Sequence, residues 1–318
     1  MAAKAFRRRR THADRPHNKI QEDGRVSVAE MFEDFCGQLS LPQSLRGSIA
    51  TRTARIVGRL NSDFRGIDSD TTNRFYAGSY GRSTAVPGFS DIDLICVLPY
   101  ATYAQFNNYT GNKQSYFLQA VKNSLVKTYH SSSIGANGQV IQINFTDNIK
   151  YEIVPVFLNK DDSYAYADTN DGGRWRKCWP KHEINAFAER DLESNRNLVM
   201  LARMVRAWRD HNEVKMSGFL IDTLAYQFME TWQYKDKSYL YYDYLTRDFF
   251  TYLGQLDRNQ DHWRAPGSGA HVARSGAFEL KARPTATVAV AAIENLKSEQ
   301  FWAAKQKYRQ IYGNLFPS

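Results

Sequence analysis

The stretch that decides the fold is Phe75-Tyr-Ala-Gly-Ser-Tyr-Gly-Arg-Ser-Thr-Ala-Val-Pro-Gly-Phe-Ser-Asp-Ile-Asp-Leu-Ile-Cys-Val-Leu98. A short strand ends at Gly78-Ser79, a turn of small residues follows, and twelve residues after Ser79 the pair Asp91-x-Asp93 opens an apolar strand. Alternate side chains of a strand share a face, so Asp91 and Asp93 point the same way, with Cα atoms about 6 to 7 Å apart. Two carboxylates so placed can bridge hard divalent cations. Their neighbours Ile92, Leu94, Ile95, Val97 and Leu98 bring no positive charge. Burying uncompensated carboxylates is costly, which makes a metal the economical explanation. The competing reading is a solvated turn over Ser90 to Asp93 that caps the strand.

The turn before this strand favours the metal. Gly78 permits close approach of the backbone, Ser79 and the amides after it can hold anionic oxygens, and Arg82 and Thr84 add a cation and a hydroxyl. A phosphate site beside a metal site suits a nucleoside triphosphate carried on Mg²⁺. Glu152, the only acid inside the apolar run Lys150-Tyr-Glu-Ile-Val-Pro-Val-Phe157, is a candidate third carboxylate for a second metal. Pro155 supports the opposing reading of an edge strand with Glu152 in water.

Outward from this core, Val140 to Phe145 and Lys150 to Phe157 read as a hairpin turning at Asp147-Asn148, and Lys113 to Tyr129 as a helix. Upstream, Ser27 and Glu30 form a capping box before Phe32, Phe35, Cys36 and Leu39. Pro42 opens a second helix through Ile49, Ile56, Leu60 and Phe64. Beyond Pro180 the pattern becomes helical: Leu198 to Trp208, Leu220 to Phe228, and Phe301 to Ile311 stopped by Gly313. Residues 255–283 read as an ordered loop or linker. The fold class is α+β, with a basic tail over 1–25, a sheet domain over 26–182 and a helical domain over 183–318.

The chain has 318 residues, 42% of them apolar, and a net charge of +9. No run approaches the ~18 apolar residues of a membrane span, and the N-terminal stretch is basic rather than apolar, so a soluble cytoplasmic protein without membrane contact is expected. Cys36, Cys96 and Cys178 are too scattered for a disulfide framework or a zinc site. Residues 1–25 hold eight basic and three acidic side chains, +5 of the +9. That tail reads as a solvated leader or as an arm that contacts nucleic acid.

The set Gly78-Ser79-x-Gly81-Arg82-x-Thr84, Asp91-x-Asp93 and the later acid before Val-Pro resembles the polymerase-β-like nucleotidyltransferase superfamily. Within it the chain resembles the cGAS/DncV-like nucleotidyltransferases (CD-NTases) of bacterial anti-phage signalling. Gly173-Arg-Trp175, Pro180-x-His182, Arg203-x-x-Arg206-x-Trp208, Ser217-x-x-Leu220 and the closing Tyr312-Gly-Asn-Leu-Phe-Pro317 carry that likeness over roughly residues 26–318.

The resemblance implies a polymerase-β-like sheet domain, a C-terminal helical domain and an active-site cleft between them. It implies that Ser79 contacts the triphosphate, Asp91 and Asp93 bind two Mg²⁺ (or Mn²⁺) ions, and Glu152 completes the site that activates the attacking hydroxyl. Arg206 and Ser217 fall where a basic residue, often Lys, and a serine at a helix start reach the phosphates. Two departures are a Glu where relatives often have Asp, and a planar Arg where they have Lys. The implied activity is synthesis of a cyclic di- or trinucleotide that activates a separate effector protein, with a regulatory protein or nucleic acid as activator. Arg203 stays open between phosphate contact and a solvated helix face, and Arg209 reads as solvated.

Other signals carry less. Gly81-Arg-Ser-Thr-Ala85 lacks the last glycine of a nucleophile elbow, and His182-Glu183 lacks the second histidine of a zincin helix. The aromatics from Tyr234 to Tyr252 read as core. The alternatives are a nucleotidyltransferase that modifies an RNA 3′ end, a protein or a small molecule, and a catalytically silent nucleic-acid-binding module.

Overall fold

The computed structural model describes residues 28–88, 91–130 and 132–318. Ser27, Ser90 and the basic tail lie outside the described residues.

Residues 28–38 form the first helix, α1, and α2 (Gln43–Arg65) follows Pro42. Strand β1 (Arg74–Tyr76), the single turn α3 (Gly78–Gly81) and β2 (Ile92–Val97) span the deciding stretch. Two helices, α4 (Tyr100–Asn107) and α5 (Lys113–Val126), lead to β3 (Ser133–Asn137), β4 (Val140–Asn144) and β5 (Lys150–Leu158). Strands β6 (Tyr164–Asp168) and β7 (Arg174–Cys178) complete a seven-stranded sheet in the order β1-β2-β5-β4-β3, with β6 on β5 and β7 on β6. Among the described residues of this sheet, only the β2–β5 pair is parallel.

Alternation along these strands sorts the sheet into two faces. Ile92, Leu94 and Cys96 of β2 and Tyr151 and Ile153 of β5 pack with Ile56 and Leu60 of α2 and Phe117 and Val121 of α5. The intervening residues Ile95, Val97, Val154 and Val156 belong to a smaller cluster on the opposite face. Asp93 and Glu152 share the parity of that second face.

Pro155 does not mark an edge. β5 lies between β2 and β4, and on the β4 side its pairing passes from β4, at Lys150 to Ile153, to β6, at Val156 to Leu158. Pro155 falls in the gap between those two partners, where its missing N–H costs no ladder bond. The edge-strand reading of Glu152 is therefore excluded.

The helical lobe is built on α6 (Pro180–Glu193), α7 (Asn197–His211), α8 (Gly218–Thr231), α9 (Tyr242–Gln255), α10 (Glu279–Lys297) and α11 (Phe301–Tyr312). At its centre is α7, buried from Leu201 through Trp208. Here the structure corrects two expectations. The first helix packs with this lobe and not with the sheet, because Phe32, Phe35, Cys36 and Leu39 are buried beside Tyr242, Tyr308 and Phe316. The supposed loop 255–283 contains the hairpin β8 (His262–Arg264) and β9 (His271–Ala273) and the start of α10.

Phe32 is fully buried, with ring centroids 5.0 Å from Tyr308, 5.4 Å from Phe316 and 5.9 Å from Tyr242. Phe32→Ala is expected to lower the unfolding free energy by about 3 to 5 kcal/mol in a denaturant titration. Trp302→Ala, at a side chain 75% exposed, should change it by less than about 0.5 kcal/mol.

Candidate active site

A cavity of about 460 Å³ lies where the open face of the sheet meets α6, α7 and α8, within the size range of ligand sites. Asp91, Asp93 and Glu152 line it with Gly78, Ser79 and Arg82. Asp93 and Glu152 are register partners across the parallel β2–β5 ladder, so their strands hold them about 4.8 Å apart at the backbone. Asp91 is exposed, one residue before β2. On the far side of Glu152, Gln142 of β4 donates from Nε2 to Oε1 at 2.9 Å. Burial pushes the Asp93 carboxyl up to about 6, Glu152 and Asp91 add to the rise, and Arg82 opposes it.

The turn is fitted to Asp93. Gly78 has φ +54°, and a Cβ on it would lie 1.7 Å from Asp93 Oδ2. The glycine therefore serves both a left-handed backbone and a close approach, here to the protein's own carboxylate. Thr84 N–H and Ala85 N–H both donate to Ser79 C=O, at 2.8 and 3.1 Å, closing the loop after α3.

A buried carboxylate fixes this turn to the helical lobe. Asp222 of α8, fully buried, accepts from Arg82 Nε at 2.8 Å, Thr84 Oγ1 at 3.1 Å and Arg206 Nη1 at 2.7 Å. Burial alone would raise its carboxyl, but Arg206 and Arg82 outweigh that and hold it below the usual carboxylate range. The Arg82 guanidinium also lies over the Phe219 ring, 4.7 Å from its centroid.

The candidate residues thus divide. Gly78, Ser79, Arg82, Asp91, Asp93 and Glu152 share the cavity. Arg206 borders it, but is 2% exposed and bonded to Asp222, Ala202 C=O and Gly218 C=O. Thr84 is buried, and its hydroxyl faces Asp222 and Ser79 C=O. Arg203 lies behind the turn and donates from Nε and Nη2 to Ser83 C=O at 3.0 and 2.7 Å. Ser217 caps α8 by accepting from Leu220 N–H at 3.2 Å and does not line the cavity. In this structure Thr84, Arg203 and Ser217 make contacts within the protein and do not line the cavity.

Three other residues enter. Arg209, read as solvated, lines the cavity and is tied to Asp210 by two hydrogen bonds. Glu183 lines it from α6 and accepts from Ser268 Oγ at 2.8 Å, its carboxyl raised by burial despite Ser268, Arg82 and His182. Asp222 had no sequence signal beyond its place on an apolar helix. For Arg209 the signal was the three-residue spacing from Arg206, which turns both toward one side of α7.

The donor set fits hard cations: three carboxylates line one cavity, and the burial of Asp93 and its repulsion by Glu152 and Asp91 are relieved by positive charge. Elsewhere, Asp261, His262 and His271 bring possible ligand atoms within 4.8 Å of one another. The two imidazoles stack face to face, with centroids 4.1 Å apart, so their in-plane lone pairs run parallel and do not converge, and we assign no ion there.

Asp222→Asn leaves two buried guanidiniums without their anion and is expected to lower stability by about 3 to 5 kcal/mol in thermal or chemical unfolding. Because the Asp222 carboxyl is depressed in the folded protein, its contribution is complete above the unfolded pKa of about 3.9 and is lost on acidification below it. The variant's unfolding free energy should fall less steeply than wild type's below about pH 4.

Comparison with known proteins agrees with this architecture. The chain is 22% identical over 180 residues to a probable cyclic nucleotide synthase of Bacillus cereus, a stretch covering 48% of this chain and 54% of that protein, so it spans about half the length of this relative. The structure of E. coli MS115-1 CdnC in complex with HORMA-deltaN superposes with a TM-score of 0.64 at 13% identity, covering 92% of this chain and 98% of that one. A mutant of the Vibrio cholerae di-nucleotide cyclase DncV gives 0.61 at 13% identity, covering 95% and 90%. These likenesses extend over both lobes and establish the fold. Residues 26–191, just over half of the 318, match the family model for the Second Messenger Oligonucleotide or Dinucleotide Synthetase domain, and the chain belongs to that family, among the cGAS/DncV-like nucleotidyltransferases.

Proposed function

We propose that the protein is a cytoplasmic synthase of cyclic oligonucleotides in anti-phage signalling, which joins nucleoside triphosphates with release of pyrophosphate. The observation that carries this reading is the placement of Asp93 opposite Glu152 on adjacent parallel strands, with Asp91, in one cavity with the Gly78-Ser79 turn. Asp91, Asp93 and Glu152 would hold two Mg²⁺ or Mn²⁺ ions, which when bound supply positive charge at the attacking hydroxyl and the leaving pyrophosphate.

In the proposed reaction a ribose hydroxyl oxygen forms a bond to the α-phosphorus, the bond to pyrophosphate breaks, and the hydroxyl proton passes to solvent water. The reaction repeats, and the last, intramolecular round closes the ring of two or three nucleotides. Ser79 binds phosphate oxygens through its hydroxyl and the amides of the turn. Gln142 orients Glu152, and the packing of Gly78 against Asp93 keeps that carboxylate in place. Arg82, held by Asp222, and Arg209 bring positive charge to the phosphates. Both Arg206 and Arg209 border the cavity, and Arg209, with 16% of its side chain exposed against 2% for Arg206, is the one more open to a phosphate. The likeness to CdnC in its HORMA complex supports a regulatory protein partner here as well.

Incubation with α-³²P-labelled triphosphates and Mg²⁺ or Mn²⁺, followed by phosphatase and mass spectrometry, tests the reading. A phosphatase-resistant cyclic product is expected from wild type, and none above background from an Asp91→Asn/Asp93→Asn double variant. Label on an added acceptor or polymer would instead identify a nucleotidyltransferase of the other kind. Gly78→Ala, which places a methyl group against Asp93, should also abolish product while binding at the outer phosphates weakens less. Arg209→Ala should raise KM for triphosphate by about 10- to 100-fold, the loss of a charge-assisted hydrogen bond, with stability changed by less than about 1 kcal/mol.

A further inference from the structure

On the reverse side of the Gly78–Thr84 turn lies a second, smaller pocket of about 210 Å³, lined by Leu41, Arg46, Tyr80, Ser83, Ala85 and Arg203. Arg203 is 9% exposed, and all its bonded partners are neutral: Ser83 C=O twice, and Ser40 Oγ at 3.1 Å. Arg46 donates to Leu41 C=O at 2.9 Å, also a neutral acceptor. Among the described residues neither guanidinium has a carboxylate in ion-pair contact. Burial works against the charge on Arg203, and Arg46 and Arg206 work against it further, while Cys36 and Asp191 offset them in part. Two cations at one pocket, one of them nearly buried, create a demand for an anion that the described residues do not meet.

We propose that this pocket is an anion site that takes a phosphate group, separate from the cavity that holds the three carboxylates. Paired guanidinium forks match tetrahedral oxyanions, and Tyr80 and Ser83, both hydroxyl-bearing, are among the lining residues. The volume lies below the roughly 300 Å³ at which sites begin to enclose drug-sized ligands, so the pocket takes the phosphate group and leaves any attached nucleoside outside. The site touches the turn directly: Arg203 carries Ser83 C=O, and Ser83 sits at φ +62° between the segments that close on Ser79.

The test is isothermal titration of the full chain with inorganic phosphate, pyrophosphate and AMP at constant ionic strength, the carboxylate cavity being saturated with a non-hydrolysable ATP analogue and Mg²⁺. Wild type is expected to bind at least one of the three, which identifies the source of the phosphate. Arg46→Ala, at an exposed position outside the carboxylate cavity, should weaken that binding by about tenfold or more and leave the analogue's affinity within about twofold. No phosphate heat in wild type, or equal heat in Arg46→Ala, would overturn the proposal. Failure of the analogue to bind would count against the nucleotide reading alone, and the comparison of wild type with Arg46→Ala would still decide the second site.

Discussion

One carboxylate, Asp222, holds the molecule's two halves in register. It is fully buried on α8, and it binds Arg82 from the sheet lobe's turn and Arg206 from α7. Buried ion pairs are seldom more stabilising than well-packed apolar groups, because desolvation offsets the attraction. Their effect is on specificity of arrangement: any displacement of α8 relative to the turn would leave a charge unpaired in the interior. Two guanidiniums on one carboxylate also leave positive charge over, and Arg82 directs it into the cavity, where it opposes the rise in both Asp93 and Glu183. The contact that aligns the lobes therefore also sets the field in which the carboxylates sit.

That field is divided by origin. The sheet contributes the acids, through strand alternation and the register of β2 on β5. The turn and α7 contribute Arg82 and Arg209. A metal-bound triphosphate has the complementary arrangement, cations toward the carboxylates and phosphate oxygens toward the arginines. Gly78 ties the two sides at closest range, since only a residue without a side chain allows the turn to approach Asp93 this far.

The parts legible in the sequence were those fixed by local period. Asp91-x-Asp93 at the head of an apolar strand placed both acids on the cavity side, and Glu152, the one acid in its strand, lines the same cavity. The helices over 43–65, 197–211, 218–231 and 301–312 carried clear apolar stripes. What was hidden depends on contacts distant in sequence. Asp222 gains its role from Arg82, 140 residues away, and Arg203 is taken from the cavity by Ser83, 120 residues away. α7 is buried on nearly every side, so its arginines could not be sorted into solvated and functional by a polar face. The first helix had the right period but no mark of which lobe it would join. The short strands β8 and β9, three residues each, and the Pro284-containing α10 fell below local signal because the strands are too short to show a period and Pro266, Gly267, Gly269 and Gly276 interrupt the segment around them.

The central claim is that Asp91, Asp93 and Glu152 hold the cations of a metal–triphosphate complex bound against the Gly78-Ser79 turn. It is tested most directly by a crystal structure with Mn²⁺ and a non-hydrolysable ATP analogue, using manganese anomalous scattering. The account predicts two manganese peaks at the three carboxylates, with the phosphate chain beside Ser79 and Arg209. Analogue bound without manganese at these carboxylates, or manganese found only at His262 and His271, would contradict it.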